Sequence, residues 1–187
     1  PKDIPVIGDA KRGDIGNTAK AYADAIFGHF KFDASTVSPY LGFDSLEPFI
    51  QYPEKGVFIL CRTSNPGARD LQDLVVTYQE RTIPLYQCVA LRAQEWDRGG
   101  SLGLVVGATY PEELRDVRAL CPEMPILIPG VGTQGGELEA AVRLGADARG
   151  RRAVINASRS ILYASRGSDF AQAARKGVLI KGGAHLE

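Results

Sequence analysis

Asp9, Lys11 and Asp14 are the residues whose spacing best suits chemistry. They lie in Asp9-Ala10-Lys11-Arg12-Gly13-Asp14, directly after the apolar run Pro5-Val6-Ile7-Gly8. That run reads as a buried strand bounded by turn residues. Residues two apart on an extended chain point to the same side, so Asp9 and Lys11 share a face at or just past the strand's carboxyl end. Asp14 follows Gly13, whose backbone can take angles closed to other residues. A lysine held between two carboxylates stays protonated, because nearby opposite charge favours its charged form. Such a group can stabilise charge developing on a carbon and then protonate it. The competing reading is a solvated salt-bridge cluster.

A second group suits an anion. Gly130-Val131-Gly132-Thr133-Gln134-Gly135-Gly136 precedes a helix, and exposed backbone amides at a helix amino end bind phosphate readily. Arg159 follows the next strand, with a fork that can grip phosphate at two points. Taken singly, the glycines fit a tight turn and the arginine a surface ion pair. Their succession after consecutive strands favours the phosphate site. Ser64 ends another strand, where Thr63, Ser64 and Asn65 could equally serve a turn.

The elements that must position these groups alternate between strand and helix. The spacing predicts a helix over Asn17 to Phe30, capped by Asn17 or Thr18, then a strand over Phe32 to Val37. A short helix follows over Asp44 to Gln51, a strand over Gly56 to Cys61 and a polar loop over Arg62 to Gln72. Val75 to Arg81 is ambiguous. Ile83 to Trp96 is an amphipathic helix with Tyr86, Val89, Ala90, Ala93 and Trp96 on one face. Leu102 to Val106 is a buried strand, and Thr109-x-x-Glu112 reads as a capping box opening the next helix. A strand over Pro125 to Ile128, a helix over Glu137 to Leu144 with Gly145 as its left-handed end, a strand over Ala153 to Ala157 and a helix over Asp169 to Lys176 complete the series. The run Asp147, Arg149, Arg151 and Arg152 reads as solvated surface.

Strands that are continuous apolar runs are buried on both faces, which predicts a parallel α/β sheet. A barrel and an open doubly wound sheet both fit. The polar motifs all fall just after strands, on the face where α/β folds place their sites. An NAD-binding sheet is disfavoured, since Gly130-Val131-Gly132 sits late in the chain with no acidic ribose partner ~20 residues on.

The balance of 22 Lys plus Arg against 22 Asp plus Glu in 187 residues gives no support for nucleic-acid or anionic-membrane binding. No apolar run reaches the ~20 residues that span a bilayer. Cys61, Cys88 and Cys121, each among apolar neighbours, read as small core residues in a reducing, cytoplasmic compartment. His29 and His185 have no partner at metal-ligand spacing, so no metal site is expected.

The string Asp9-Ala10-Lys11-Arg12-Gly13-Asp14-Ile15-Gly16-Asn17-Thr18 resembles the signature of the orotidine 5'-phosphate decarboxylase suprafamily, in the bacterial longer-chain form of its decarboxylase branch. Thr36-Val37-Ser38-Pro39-Tyr40-Leu41-Gly42, Arg62-Thr63-Ser64-Asn65-Pro66-Gly67, Gly130 to Gly136, and Asn156-Ala157-Ser158-Arg159-Ser160-Ile161 agree with it in order. The resemblance implies a (β/α)8 TIM barrel and a cofactor-free decarboxylation of orotidine 5'-phosphate to uridine 5'-phosphate. It implies that Asp9, Lys11 and Asp14 are catalytic, with Lys11 as proton donor. Ser64 would contact the pyrimidine, and Gly130, Gly132, Gln134 and Arg159 the phosphate. Asp14 and Thr18 would complete a neighbour's site in a homodimer. A barrel of this kind takes ~250 residues and this chain shows six units, so about two strand-helix units are expected ahead of Pro1, among them a further active-site lysine and aspartate. Two alternatives stay open. One is a metal-dependent keto-sugar-phosphate decarboxylase of the same suprafamily. The other is a non-catalytic phosphate-binding piece of barrel.

Overall fold

The computed structural model describes residues 4–132 and 135–183. The chain begins with β1 (Ile7–Arg12), α1 (Gly16–Ala23) and β2 (Ala34–Val37), then α2 (Glu47–Ile50) and β3 (Gly56–Arg62). The short strands β4 (Val75–Tyr78) and β5 (Arg81–Pro84) lead into α3 (Leu85–Trp96). Next come β6 (Leu102–Val106), α4 (Pro111–Leu120), β7 (Ile126–Ile128), α5 (Gly135–Gly145) and β8 (Ala153–Ile155). Two helices close the series, α6 (Arg159–Leu162) and α7 (Phe170–Gly183).

One parallel sheet runs β1-β2-β3-β6-β7-β8 and curls toward a half-barrel. β4 and β5 form a separate antiparallel ribbon between β3 and α3. Side chains alternate across each main strand. Val57, Ile59 and Cys61 of β3, Leu102, Leu104 and Val106 of β6, and Ile126 and Ile128 of β7 face the helices and form the main core. Phe58, Val105 and Leu127 point the other way, with Ala34, Ile7 and Leu60, into a smaller apolar cluster on the concave face. Strands covered on both sides must be apolar throughout, which is why they read as continuous runs.

Several helix ends differ from the sequence expectation. The N-cap of α1 is Ile15, without a side-chain cap bond, so Asn17 and Thr18 lie inside the first turn. Past Ala23 the helix widens into π turns over Asp24–His29, with Phe30 N–H bonded to the Ala25 carbonyl at 2.9 Å. α4 starts at Pro111 with Tyr110 as N-cap, one residue later than a Thr109 capping box requires, and no such box forms. Gly145 is not a left-handed end, because it stays within α5. Its role is close packing, since a Cβ there would lie 2.3 Å from Ile128 Cδ1.

The region read as ambiguous is the β4–β5 ribbon, whose turn residues Gln79 and Glu80 have φ of 48° and 63°. The acidic-basic run is not wholly solvated. The Asp147 side chain is 4 % exposed, accepts N–H bonds from Arg149 and Arg151, and pairs with Arg152. Cys61 and Cys121 are buried in the core, and Cys88 is half-buried.

Candidate active site

The site is built at the carboxyl ends of the main strands, beginning with an irregularity in β1. Gly8 pairs with Ser35, and the next registered pair is Arg12 with Val37. Asp9, Ala10 and Lys11 therefore pass a single residue of β2, Thr36. A bulge of this kind re-aims side chains near functional sites. Lys11 absorbs the extra length with φ of 48°, a left-handed angle uncommon outside glycine. Its backbone N–H donates to Thr36 Oγ1 at 3.0 Å, and the Thr36 hydroxyl donates to Asp9 Oδ1 at 2.8 Å. Lys11 Nζ donates to the other Asp9 oxygen, Oδ2, at 2.5 Å. Partial burial pushes the Asp9 carboxyl up, but the bonds from Lys11 and Thr36 and the Lys11 charge outweigh it and hold the group below its ordinary range.

Asp9 and Lys11 thus share a face, as the i, i+2 spacing predicts. Asp14 does not flank Lys11 from the other side. Its Oδ1 accepts the Ile15 N–H at 2.8 Å, and the Lys11 ammonium pairs with Asp9 alone among the described residues. Thr18 is exposed on α1.

Ser64 stands at the top of β3, placed by a second bulge. Leu60 pairs with Val105 and Arg62 with Val106, so Cys61 is the extra residue. The bulge turns Arg62 to the helical side, where it is fully buried. There its Nη2 lies 3.0 Å from Asp73 Oδ1 and 3.6 Å from Glu113 Oε1, with the guanidinium 4.5 Å over the Tyr110 ring. Gln72 ties the far end of the loop back, accepting the Thr63 N–H at 2.9 Å and donating to Thr63 Oγ1 at 2.9 Å. Gly107 lies against Ser64, with a Cβ there falling 2.8 Å from Ser64 Cβ. Gly130, φ 87°, lies next to it; a Cβ there would be 3.6 Å from Ser64 Oγ.

These groups line one cleft with two lobes. The first, about 640 Å³, is bounded by Asp9, Lys11, Ser64, Asn65, Gln72 and the concave-face residues Ile7, Leu60, Val105 and Leu127. The second, about 880 Å³, is bounded by Asp9, Gly130, Val131, Gly132, Asn156, Ser158, Arg159 and Tyr163. Asp9, Pro129 and Asn156 line both. Asp9, Lys11, Ser64, Gly130, Gly132 and Arg159 are thus brought to one cleft, while Asp14 and Thr18 line neither lobe. Gln134 lies outside the described residues.

Residues 1–176 match the model of the orotidine 5'-phosphate decarboxylase / HUMPS family. The chain belongs to that family. It is 58% identical over 173 residues to an orotidine 5'-phosphate decarboxylase of Cupriavidus taiwanensis, a match that covers 92% of this chain and 62% of that protein. It is 56% identical over 177 residues to an orotidine 5'-phosphate decarboxylase of Azoarcus sp., covering 94% of this chain and 64% of that one. The chain therefore spans under two thirds of the length of these relatives. Among solved structures, Leishmania donovani OMP decarboxylase superposes with a TM-score of 0.87 at 44% identity, over 100% of this chain and 70% of that one. The fold is that of the family's (β/α)8 barrel, with six strands of its parallel sheet among the described residues.

Sequence reasoning gave no role to Thr36 or Gly107. Thr36 carried a signal, being a polar residue inside a buried strand beside the Asp-x-Lys string. Gly107 carried only the fact that it directly follows a strand.

Proposed function

We propose that the full-length protein decarboxylates orotidine 5'-phosphate to uridine 5'-phosphate, a step of pyrimidine biosynthesis, without a cofactor. The observation that carries this reading is the Asp9–Lys11 pair in the same cleft as Ser64, Gly130 and Arg159. The second lobe has the character of a phosphate site, with glycine backbone beside an arginine fork. The first lobe, with its apolar floor and Ser64 at the rim, suits a pyrimidine ring.

In this reading the bond from C6 to the carboxylate breaks, carbon dioxide leaves, and the electron pair stays on C6. The Lys11 ammonium stabilises that charge from a fixed position and transfers a proton to C6; solvent then reprotonates the amine. Charge preorganised where charge develops is often the largest catalytic term. Asp9 orients Lys11 by accepting a hydrogen bond from its ammonium. Phosphate binding far from the reacting bond supports the chemical step by fixing the ring against Lys11. Asp14 and Thr18, outside the cleft of their own chain, fit a homodimer in which each completes the neighbour's site.

Two experiments test this. In the full-length protein, Lys11→Ala should abolish orotidine 5'-phosphate turnover, followed by absorbance with EDTA present, while uridine 5'-phosphate still binds. Full activity in that variant would overturn the assignment, and loss of wild-type turnover with EDTA would favour the metal-dependent alternative. Mixing inactive Lys11→Ala with inactive Asp14→Asn protein should restore activity, because hybrid dimers contain one intact site. No recovery despite subunit exchange would remove Asp14 from the shared-site role.

A further inference from the structure

The bulge in β1 leaves a problem that Thr36 solves. Three residues of β1 pass one of β2, so the ladder is broken where the catalytic string lies. The Lys11 N–H finds its partner in the side chain of Thr36, at 3.0 Å. A hydroxyl has one hydrogen to donate, and a carboxylate can only accept. The chain of bonds therefore has one direction, from Lys11 N–H to Thr36 Oγ1 to Asp9 Oδ1, and it leaves Asp9 Oδ2 for Lys11 Nζ. One buried hydroxyl thus fixes both the left-handed backbone of Lys11 and the orientation of the carboxylate that holds its ammonium.

We propose that Thr36 is the positioning residue of the Asp9–Lys11 pair. It sets where the proton-donating ammonium stands without itself touching the substrate. The inference rests on the decarboxylase reading above. Thr36 is wholly buried in β2 and shares that strand with Ser35, also buried. The Ser35 hydroxyl donates to the Gly8 carbonyl at 3.0 Å, so it braces the same pair of strands without touching Asp9 or Lys11. Ser35 is therefore an internal control for structural bracing alone.

The test is steady-state kinetics of orotidine 5'-phosphate decarboxylation by the full-length protein and its Thr36→Val, Thr36→Ser and Ser35→Ala variants. Valine keeps the branched shape and removes both bonds; serine keeps the hydroxyl. A misplacement of ~1 Å can cost about 10²-fold in rate, so Thr36→Val should lower kcat by that order while KM stays within about threefold. Thr36→Ser and Ser35→Ala should stay within about threefold of wild-type kcat. Should Thr36→Val fail to fold, Thr36→Ser against Thr36→Ala makes the same comparison, since both lack the methyl group and differ only in the hydroxyl. A kcat unchanged without the hydroxyl, a kcat loss equalled in Ser35→Ala, or a failure of serine to rescue would overturn the proposal. Absence of turnover in the wild-type protein would overturn the decarboxylase reading and this inference together.

Discussion

The chemistry at the residue scale depends on close approaches that leave little room. Gly107 is one. A methyl group there would lie 2.8 Å from Ser64 Cβ and 3.1 Å from Ser64 N, so Gly107→Ala must displace the Ser64 loop. If Ser64 holds the pyrimidine by one hydrogen bond, its displacement should weaken uridine 5'-phosphate binding by about tenfold, read by isothermal titration. Unchanged affinity would show that Ser64 contributes no contact to the ligand. The cysteines give a second prediction. Burial pushes the Cys121 thiol up to about 12 and raises Cys61 as well, so neither forms the reactive thiolate near neutrality. Of the three, only half-buried Cys88 should react with a thiol reagent in the native protein, and Cys61 and Cys121 should follow on denaturation. Rapid native labelling of Cys61 or Cys121 would mean that the core opens.

Two side chains decide how the structural elements stay together. Arg118 of α4 is buried and donates to five carbonyl groups, those of Gly145, Cys121, Pro122, Met124 and Arg152. It thereby joins the end of α4, the end of α5 and the approach to β8, next to the strands β7 and β8 that lead to Gly130 and Arg159. Arg118→Met would leave those carbonyls without their donor and should destabilise the protein on the order of 3 kcal/mol, measured by denaturant unfolding. Asp147 secures the turn before β8. Its carboxyl is held low, chiefly by the Arg151 N–H; burial opposes this, and the Arg149 N–H and the nearby arginines add to the lowering. A carboxyl whose folded pKa is depressed stabilises above its unfolded value and loses that contribution as pH falls through the folded one. Asp9 is depressed in the same sense. Melting temperature should therefore decline below about pH 4, and Asp147→Asn should flatten that decline. An unchanged acid profile in Asp147→Asn would remove it as a contributor.

These same elements show what was legible in the sequence. The β6 boundaries were read directly, because a strand buried on both faces is apolar at every position. The β4–β5 ribbon was not, since its turn puts Gln79 and Glu80 at positive φ where Asn-Gly would have announced it. Gly145 was misread because a glycine near a helix end suggests a left-handed cap, whereas its real constraint is the Ile128 side chain, distant in sequence. In the site, Asp9 and Lys11 came together as their spacing requires. The role of Thr36 was hidden because it depends on strand pairing across 27 positions.

On the scale of the whole molecule, the two sheet faces separate the main core from the cleft. The convex face carries the large core, so substitutions there act through stability. The concave face carries the smaller apolar cluster and the cleft. Phe58 belongs to the concave cluster, and Gly103 on the neighbouring strand makes room for it, since a Cβ there would fall 2.7 Å from the Phe58 ring.

The ribbon inserted between β3 and α3 has a consequence for how the chain finds its fold. β1, β2 and β3 are joined through α1 and the short α2 segment, and β6, β7 and β8 through one helix each. β3 and β6, neighbours in the sheet, are separated by the whole stretch from Thr63 to Ser101. Closing a longer excursion costs more entropy before any contact repays it. The sheet should therefore assemble as two three-stranded halves that meet late along the β3–β6 seam. Ser64, Gly107 and Gly130 lie where those halves join, so the cleft would be among the last parts of the molecule to form.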